Sequence, residues 1–88
     1  MTQLNFTKTD TGKFEATFIS EENNMLQLGV KGSFLMLHVY VRFDESLEWA
    51  NVSSSPIGEN FLAKVDIPKE TFVRLVVDAD SIEYAYLK

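Results

Sequence analysis

The sequence predicts an all-β fold: an antiparallel β-sandwich of about eight strands with a jelly-roll or Greek-key topology. Three observations lead to this fold class. Apolar and polar residues alternate with a period of two along most of the chain, as they do in half-buried strands. Turn signals recur about every 8–12 residues. No stretch shows the apolar spacing of a convincing amphipathic helix.

Each element follows from its own pattern. Alternation predicts short strands at residues 4–6, 14–19, 26–30, 61–67 and 82–86. Longer apolar runs predict strands at residues 34–43 and 72–77. Residues 47–52 fit either a strand or a single helical turn capped by Asp44. Gly, Asp, Asn and Ser predict turns at residues 9–12, 21–24, 31–33 and 78–81, and a loop at residues 53–58.

Length and composition restrict the function classes. The chain of 88 residues is long enough for one domain, residues 1–88, with a thin core. One histidine and no cysteine exclude the familiar structural zinc sites. A net charge of −5 argues against a nucleic-acid partner, because phosphate binding needs a cationic face. Without a signal peptide or a membrane-length apolar run, we expect a soluble cytosolic product with no membrane partner.

Residues 34–43 are the most informative segment, because both faces of this predicted strand are apolar. One face carries five side chains typical of a core: Leu35, Leu37, Val39, Val41 and Phe43. The opposite face should meet water in a two-layer sandwich, yet most of its side chains are apolar or aromatic. The strand at residues 72–77 is also apolar on both faces, except for Arg74.

Two interpretations of this second apolar face stay open. Either the segment 53–60 covers it as a loop, or the face is an interface with another protein. The interface interpretation gives contact roles to seven residues: Phe34, Met36, His38, Tyr40, Arg42, Arg74 and Tyr84. The two arginines among them would lie at the rim or pair with charges on neighbouring strands.

The sequence offers no credible catalytic centre. His38 is the only imidazole, and its strand neighbours supply no partner for acid–base or metal chemistry. No serine has the spacing of a nucleophile elbow. Asp78, Asp80 and Glu83 could bind calcium through carboxylate oxygens, although Asp-x-Asp is also a common turn. We therefore predict a protein that is not an enzyme, with no catalytic residue, no cofactor and no metal site.

Several aromatic residues suggest an alternative, a carbohydrate-binding or adhesion module. Sugars stack on aromatic faces, and Trp49 and Tyr86 are the candidates for such stacking, with Tyr40 and Tyr84 as further aromatic residues. This alternative requires the aromatic rings to be exposed together in one groove.

Much of the chain resembles the small β-sandwich virion proteins of tailed phages. The likeness rests on the long alternating strand at residues 34–43, the DESLEW segment at 44–49, and the FVRLVV strand at 72–77 with the acidic turn that follows. The opening residues 4–16 are similar to short phage proteins encoded alongside head genes. Related modules often have glycine where this chain has Glu45.

The resemblance implies a structural role without catalytic residues. Proteins of this kind decorate the capsid or serve as head or tail accessory proteins. The resemblance therefore implies that the chain assembles through apolar strand faces, either with itself as a homo-oligomer or with a capsid or other virion protein. It also implies that the mature protein is located in the virion.

Overall fold

A computed structural model describes residues 1–21 and 24–88, and these residues form nine strands and no helix. The strands are β1 (Thr2–Gln3), β2 (Thr7–Lys8), β3 (Phe14–Ile19), β4 (Met25–Lys31), β5 (Met36–Arg42), β6 (Ala50–Pro56), β7 (Asn60–Lys64), β8 (Phe72–Asp78) and β9 (Ser81–Leu87). The all-β prediction is confirmed. Within the described ranges, no helix is long and apolar enough to cross a membrane. The middle of the predicted turn at residues 21–24 lies outside the described residues.

The strands form two antiparallel sheets that pack face to face. One sheet has four strands in the order β1-β9-β4-β7, and the other has five in the order β2-β3-β8-β5-β6. Four pairs are nested in sequence: β1 with β9, β3 with β8, β4 with β7, and β5 with β6. Nested pairs divided between two sheets are the winding of a jelly roll, with β2 as an additional short strand. The topology thus selects the jelly roll from the two predicted alternatives.

The core lies between the sheets and follows the alternation in the sequence. β4 contributes Leu26, Leu28 and Val30, and β8 contributes Val73, Leu75 and Val77, all almost fully buried. Because successive strand residues point to opposite faces, the residues between them point outward. Val76 lies on the outer face of β8, yet it is apolar and only 7% exposed. The prediction of a doubly apolar β8 therefore holds.

The segment between β5 and β6 differs from its prediction. The strand predicted at residues 34–43 is limited to Met36–Arg42, so Phe34 and Phe43 lie beyond its ends and are 88% and 75% exposed. Assigning Phe43 to the core was wrong. A turn follows, in which the carboxylate of Asp44 accepts hydrogen bonds from the backbone N–H and the hydroxyl of Ser46. This turn delays the start of β6 to Ala50.

The loop predicted at residues 53–58 is also wrong, because residues 53–56 belong to β6. Three consecutive serines show no apolar alternation, so strand pairing with β5, not local propensity, determines their conformation. This strand extends the sheet at its edge. The interpretation in which segment 53–60 covers the outer face of β5 as a loop is therefore excluded for residues 53–56.

A register shift between β4 and β9 changes the face on which Ile82 lies. Gly29 pairs with Tyr84, but Val30 pairs with Ile82, so Glu83 is an extra residue in β9. The sequence predicts Ile82 on the same face as Tyr84 and Tyr86. The bulge instead lets Ile82 pack against the core.

The two lateral sides of the sandwich differ in how they end. On the closed side, defined by β1 and β2, the edge strands have two residues each, and the chain between them passes from one sheet to the other. Leu4 in this crossing is buried, and its N–H donates to the carbonyl of Ala85. On the open side, defined by β6 and β7, the edge strands have seven and five residues.

Candidate interaction site

Most of the predicted interface residues share the outer face of the five-stranded sheet. Tyr40 of β5 pairs directly with Arg74 of β8, and Arg42 pairs with Phe72. Met36 and His38 lie on the same face of β5, further along the strand. Phe34 lies outside the strand, and Tyr84 lies on the other sheet. Five of the seven predicted contact residues are therefore brought together.

The two arginines on this outer face are already bound within the chain. Arg74 donates from Nε to Glu15 Oε2 at 3.0 Å, and its guanidinium lies 5.5 Å from the ring centroid of Tyr40. Arg42 stacks on Trp49 at 4.2 Å, and its Nη1 donates to two carbonyl oxygens of the following turn. These cation–π contacts cover the aromatic rings. The face consequently exposes less free apolar surface than the sequence suggests.

His38 has partners on both neighbouring strands that the sequence did not reveal. His38 Nδ1 lies 2.8 Å from Ser54 Oγ on β6, and Nε2 lies 3.1 Å from Asp78 Oδ2 on β8. The second oxygen of Asp78 meets the ammonium of Lys13 at 3.1 Å. Burial raises the pKa of Asp78, but the hydrogen bonds from His38 and Lys13 outweigh it and hold this pKa below its ordinary value.

Serine, histidine and aspartate in this order are the components of a nucleophilic triad, so the surroundings of Ser54 matter. A groove of about 710 Å³ adjoins His38, but its lining comes from β2, β3, β5, β8 and the β2–β3 turn. Ser54 lies on β6, on the other side of His38. The side-chain amide of Asn51 donates to the hydroxyl of Ser54 and also to the carbonyl oxygens of Val39 and Ser53. Ser54, His38 and Asp78 therefore form a hydrogen-bonded row across β6, β5 and β8, the His38 ladder, and Ser54 does not face the groove.

The carboxylates considered for calcium do not converge. Asp78 is directed at His38 and Lys13, and Glu83 accepts a hydrogen bond from the hydroxyl of Ser81 at 2.9 Å. Across the described part of the chain, no three His, Cys, Asp or Glu side chains come close enough together to hold a metal ion.

The outer face of the four-stranded sheet carries a pair of tyrosines. The rings of Tyr84 and Tyr86 stack with centroids 6.2 Å apart and planes 25° apart. Tyr84 lies across Gly29, where a Cβ atom would overlap its ring, and its hydroxyl donates to Asn60 Oδ1 at 3.0 Å. Trp49 immediately precedes β6 of the other sheet and is stacked against Arg42. The two residues proposed for glycan stacking, Trp49 and Tyr86, therefore do not share a groove.

The open side contains an apolar cleft that reaches between the sheets. Its volume is about 530 Å³, and inner-face residues of both sheets line it, among them Leu37, Val39, Phe61 and Val65. Phe43 and Val52 stand at this cleft, 75% and 53% exposed. Sequence reasoning missed this feature, because it treated Phe43 as core and residues 53–58 as a loop. The closed side has instead the buried Leu4 in the corresponding position.

The edge strand beside this cleft carries no charge. The signal was present in the sequence, since residues 49–58 form an uncharged run of ten. β6 has one bulge, at Val52 opposite the Val39–Tyr40 step, and one proline at its end. Natural edge strands are usually shortened or charged to prevent pairing with another chain. β6 is neither short nor charged: it has seven residues, and its protection against pairing with another chain consists of the bulge and Pro56.

Comparison of the chain with protein-family models, with curated protein sequences and with solved structures finds no match.

Proposed function

We propose that this protein is a non-enzymatic interaction module that binds another protein through its open side. The observation that carries the proposal is the apolar cleft between β6 and β7, with Phe43 and Val52 exposed beside it. Exposed apolar surface on a small domain costs free energy in water, about 25 cal/mol for each Å² that a partner could bury. A partner that covers the cleft recovers this free energy.

The outer face of the five-stranded sheet supports a different role, that of a rigid wall. Its polar groups are bound within the chain: Arg74 pairs with Glu15, His38 lies between Ser54 and Asp78, and Arg42 binds backbone carbonyl oxygens and the Trp49 ring. Groups already paired in the free protein gain little from a partner. We therefore place the main contact on the open side, with Met36, His38, Tyr40, Arg42 and Arg74 as supporting residues.

Photo-cross-linking tests the proposal. A photoreactive amino acid replaces Phe43 in one variant and the exposed Thr7 of β2 in a control, each made in the cells that naturally produce the protein. We expect defined protein adducts from position 43 and few from position 7. Light scattering over a concentration series shows whether the adduct contains a second copy. Equal labelling from both positions, with a strictly monomeric protein, would contradict the proposal.

The setting that we propose is the tailed-phage virion, as a capsid decoration or as a head or tail accessory protein. The resemblance of residues 34–49 and 72–77 to small virion proteins supports this setting, and an exposed apolar cleft suits a protein held in a larger assembly. Mass spectrometry of purified virions provides the test. The chain should be present in stoichiometric amounts, and its absence from washed particles would exclude a virion role.

The stacked tyrosines favour a second candidate function, glycan binding on the four-stranded sheet. Tyr84 and Tyr86 present an aromatic pair, and Asn60 and Gln27 add amide groups on the same face. A glycan array tests this candidate with Tyr86→Ala and with Trp49→Ala as the control. Binding lost only in Tyr86→Ala would support it, and an array without signal would exclude it.

A further inference from the structure

The free edge of β6 specifies what kind of chain can bind beside the cleft. An edge strand directs unpaired backbone N–H and C=O groups away from its sheet, and an extended segment of another chain can pair with them. The seven uncharged residues of β6 offer a much longer template than the two-residue strands on the closed side. Ser53, Ser54 and Ser55 form its regular part, between the bulge and Pro56.

Small side chains on β6 leave room for large ones on a partner. Ser53 and Ser55 pair with Val39 and Leu37, and all four residues line the cleft. A strand added to β6 places every second side chain beside these serines, at the mouth of the cleft. A large apolar side chain at that position would enter the cleft and fill it.

The N-terminal end of β6 is negatively charged. Asp44, Glu45 and Glu48 precede the strand, and all three are exposed. Hydrogen bonds from the backbone N–H and the hydroxyl of Ser46 lower the pKa of Asp44, so this carboxylate stays ionised. The neighbouring cation, Arg42, is directed at the carbonyl oxygens of Glu45 and Leu47 and at the ring of Trp49.

The same charges disfavour a second copy of this chain as the occupant. Antiparallel pairing of two β6 strands, centred on the three serines, brings Glu48 of one copy toward Glu59 of the other, and the cation beside Glu59, Lys31, is already paired with it at 3.7 Å. Parallel pairing brings the two acidic turns together. Both arrangements place like charges near each other, which costs free energy and suppresses the pairing.

We propose that β6 accepts an extended strand of a different protein, paired antiparallel to it. The strand carries a large apolar residue that enters the cleft and a lysine or arginine at its C-terminal end, beside Asp44, Glu45 and Glu48. This inference rests on the proposed function and adds the chemistry and the direction of the partner.

Blocked synthetic peptides of alternating valine and threonine, each with phenylalanine in place of one central valine, test the inference. One peptide ends in two lysines, a second ends in two glutamates, and a third has the lysines at its N-terminus. We expect the first to bind at least about tenfold more tightly than the others, the scale of a few rim charge contacts. Amide hydrogen exchange should slow at Ser53, Ser54 and Ser55. Equal binding of the three peptides, or unchanged exchange in β6, overturns the inference.

Charge reversal and a matched edge variant complete the test. The double variant Glu45→Lys and Glu48→Lys should reverse the preference between the lysine-ended and glutamate-ended peptides. Val52→Lys should weaken both, whereas Thr7→Lys on β2 should change neither. Self-association that Val52→Lys abolishes would identify a second copy as the occupant and overturn the inference. Failed peptide binding with intact cross-linking from position 43 overturns strand pairing alone, while failure of both overturns the interaction proposal too.

Discussion

The closed and open sides of this jelly roll differ in the length of their edge strands and in how well the space between the sheets is filled. Both must connect the two sheets at their edges. The closed side uses two-residue strands and a crossing segment whose Leu4 is buried against the core. The open side uses long edge strands and leaves a cleft of about 530 Å³ between them, with Phe43 75% exposed. Residues of the closed side therefore stabilise the fold, whereas the exposed apolar residues of the open side, Phe43 and Val52, contribute little to it and are available for a partner.

The largest expected loss of stability comes from a substitution on the closed side. Leu4→Ala removes a buried side chain and leaves a cavity, so it should lower the free energy of unfolding by about 2–4 kcal/mol. Urea unfolding monitored by Trp49 fluorescence provides the measurement. A loss within about 0.5 kcal/mol, the scale typical of a surface substitution, would show that the crossing segment does not close the core.

A smaller loss of stability is expected from a substitution on the outer face of the four-stranded sheet. A Cβ atom at Gly29 overlaps the ring of Tyr84, so Gly29→Ala must displace this ring from Tyr86 and Asn60. We expect a loss of about 1–3 kcal/mol, the usual cost of overpacking. Adding Tyr84→Ala should cost less in the Gly29→Ala background than in the wild type, because removing the ring also relieves the clash that Gly29→Ala introduces. Strict additivity of the two substitutions would contradict this account.

The His38 ladder predicts a pH dependence. The pKa of Asp78 is lowered in the folded protein below its ordinary 3.8, so its contribution to stability is present above that pH and is lost as pH falls through the folded pKa. Asp78→Asn should therefore cost about 1 kcal/mol or less at neutral pH, and the difference should vanish in acid. Urea unfolding over a pH series measures it, with Asp10→Asn as the control. A difference that grows on acidification would refute the assigned ion pairs.

The smallest effect on stability is expected at the open side. Phe43→Ser removes an exposed ring, so unfolding should change by less than about 0.5 kcal/mol. The same substitution should reduce binding of the lysine-ended peptide several-fold, since Phe43 stands at the cleft. A large loss of stability instead would mean that the ring belongs to the core.

Strands with an apolar alternation could be predicted from the sequence, whereas features that depend on strand pairing could not. Alternation identified most long strands and the doubly apolar β8, because burial of one face determines strand register. For residues 47–52, the strand alternative located only the start of β6, at residues 50–52. The rest of β6 could not be identified, because its serines carry no hydrophobic signal and are held by pairing with β5. Alternation also could not locate the bulge at Glu83, which reverses the facing of Ile82 relative to Tyr84.

The site was less predictable than the fold, for a related physical reason. Five predicted contact residues do share one face, because they alternate on β5 or pair with it. Their contacts depend on partners distant in sequence, such as Glu15 for Arg74 and Asp78 for His38, and strand order alone brings these together. The open side arises from the same strand order, which places β6 and β7 at adjacent edges.

Residue-by-residue amide hydrogen exchange decides whether the open side or the closed side binds the partner. It is measured on the isolated chain and on its complex with the protein cross-linked from position 43. We expect exchange to slow in β6, with Ser53, Ser54 and Ser55 affected most, and β1 and β2 to exchange as before. Slowed exchange on the closed side, with β6 unchanged, would contradict the assignment of the open side as the interaction surface.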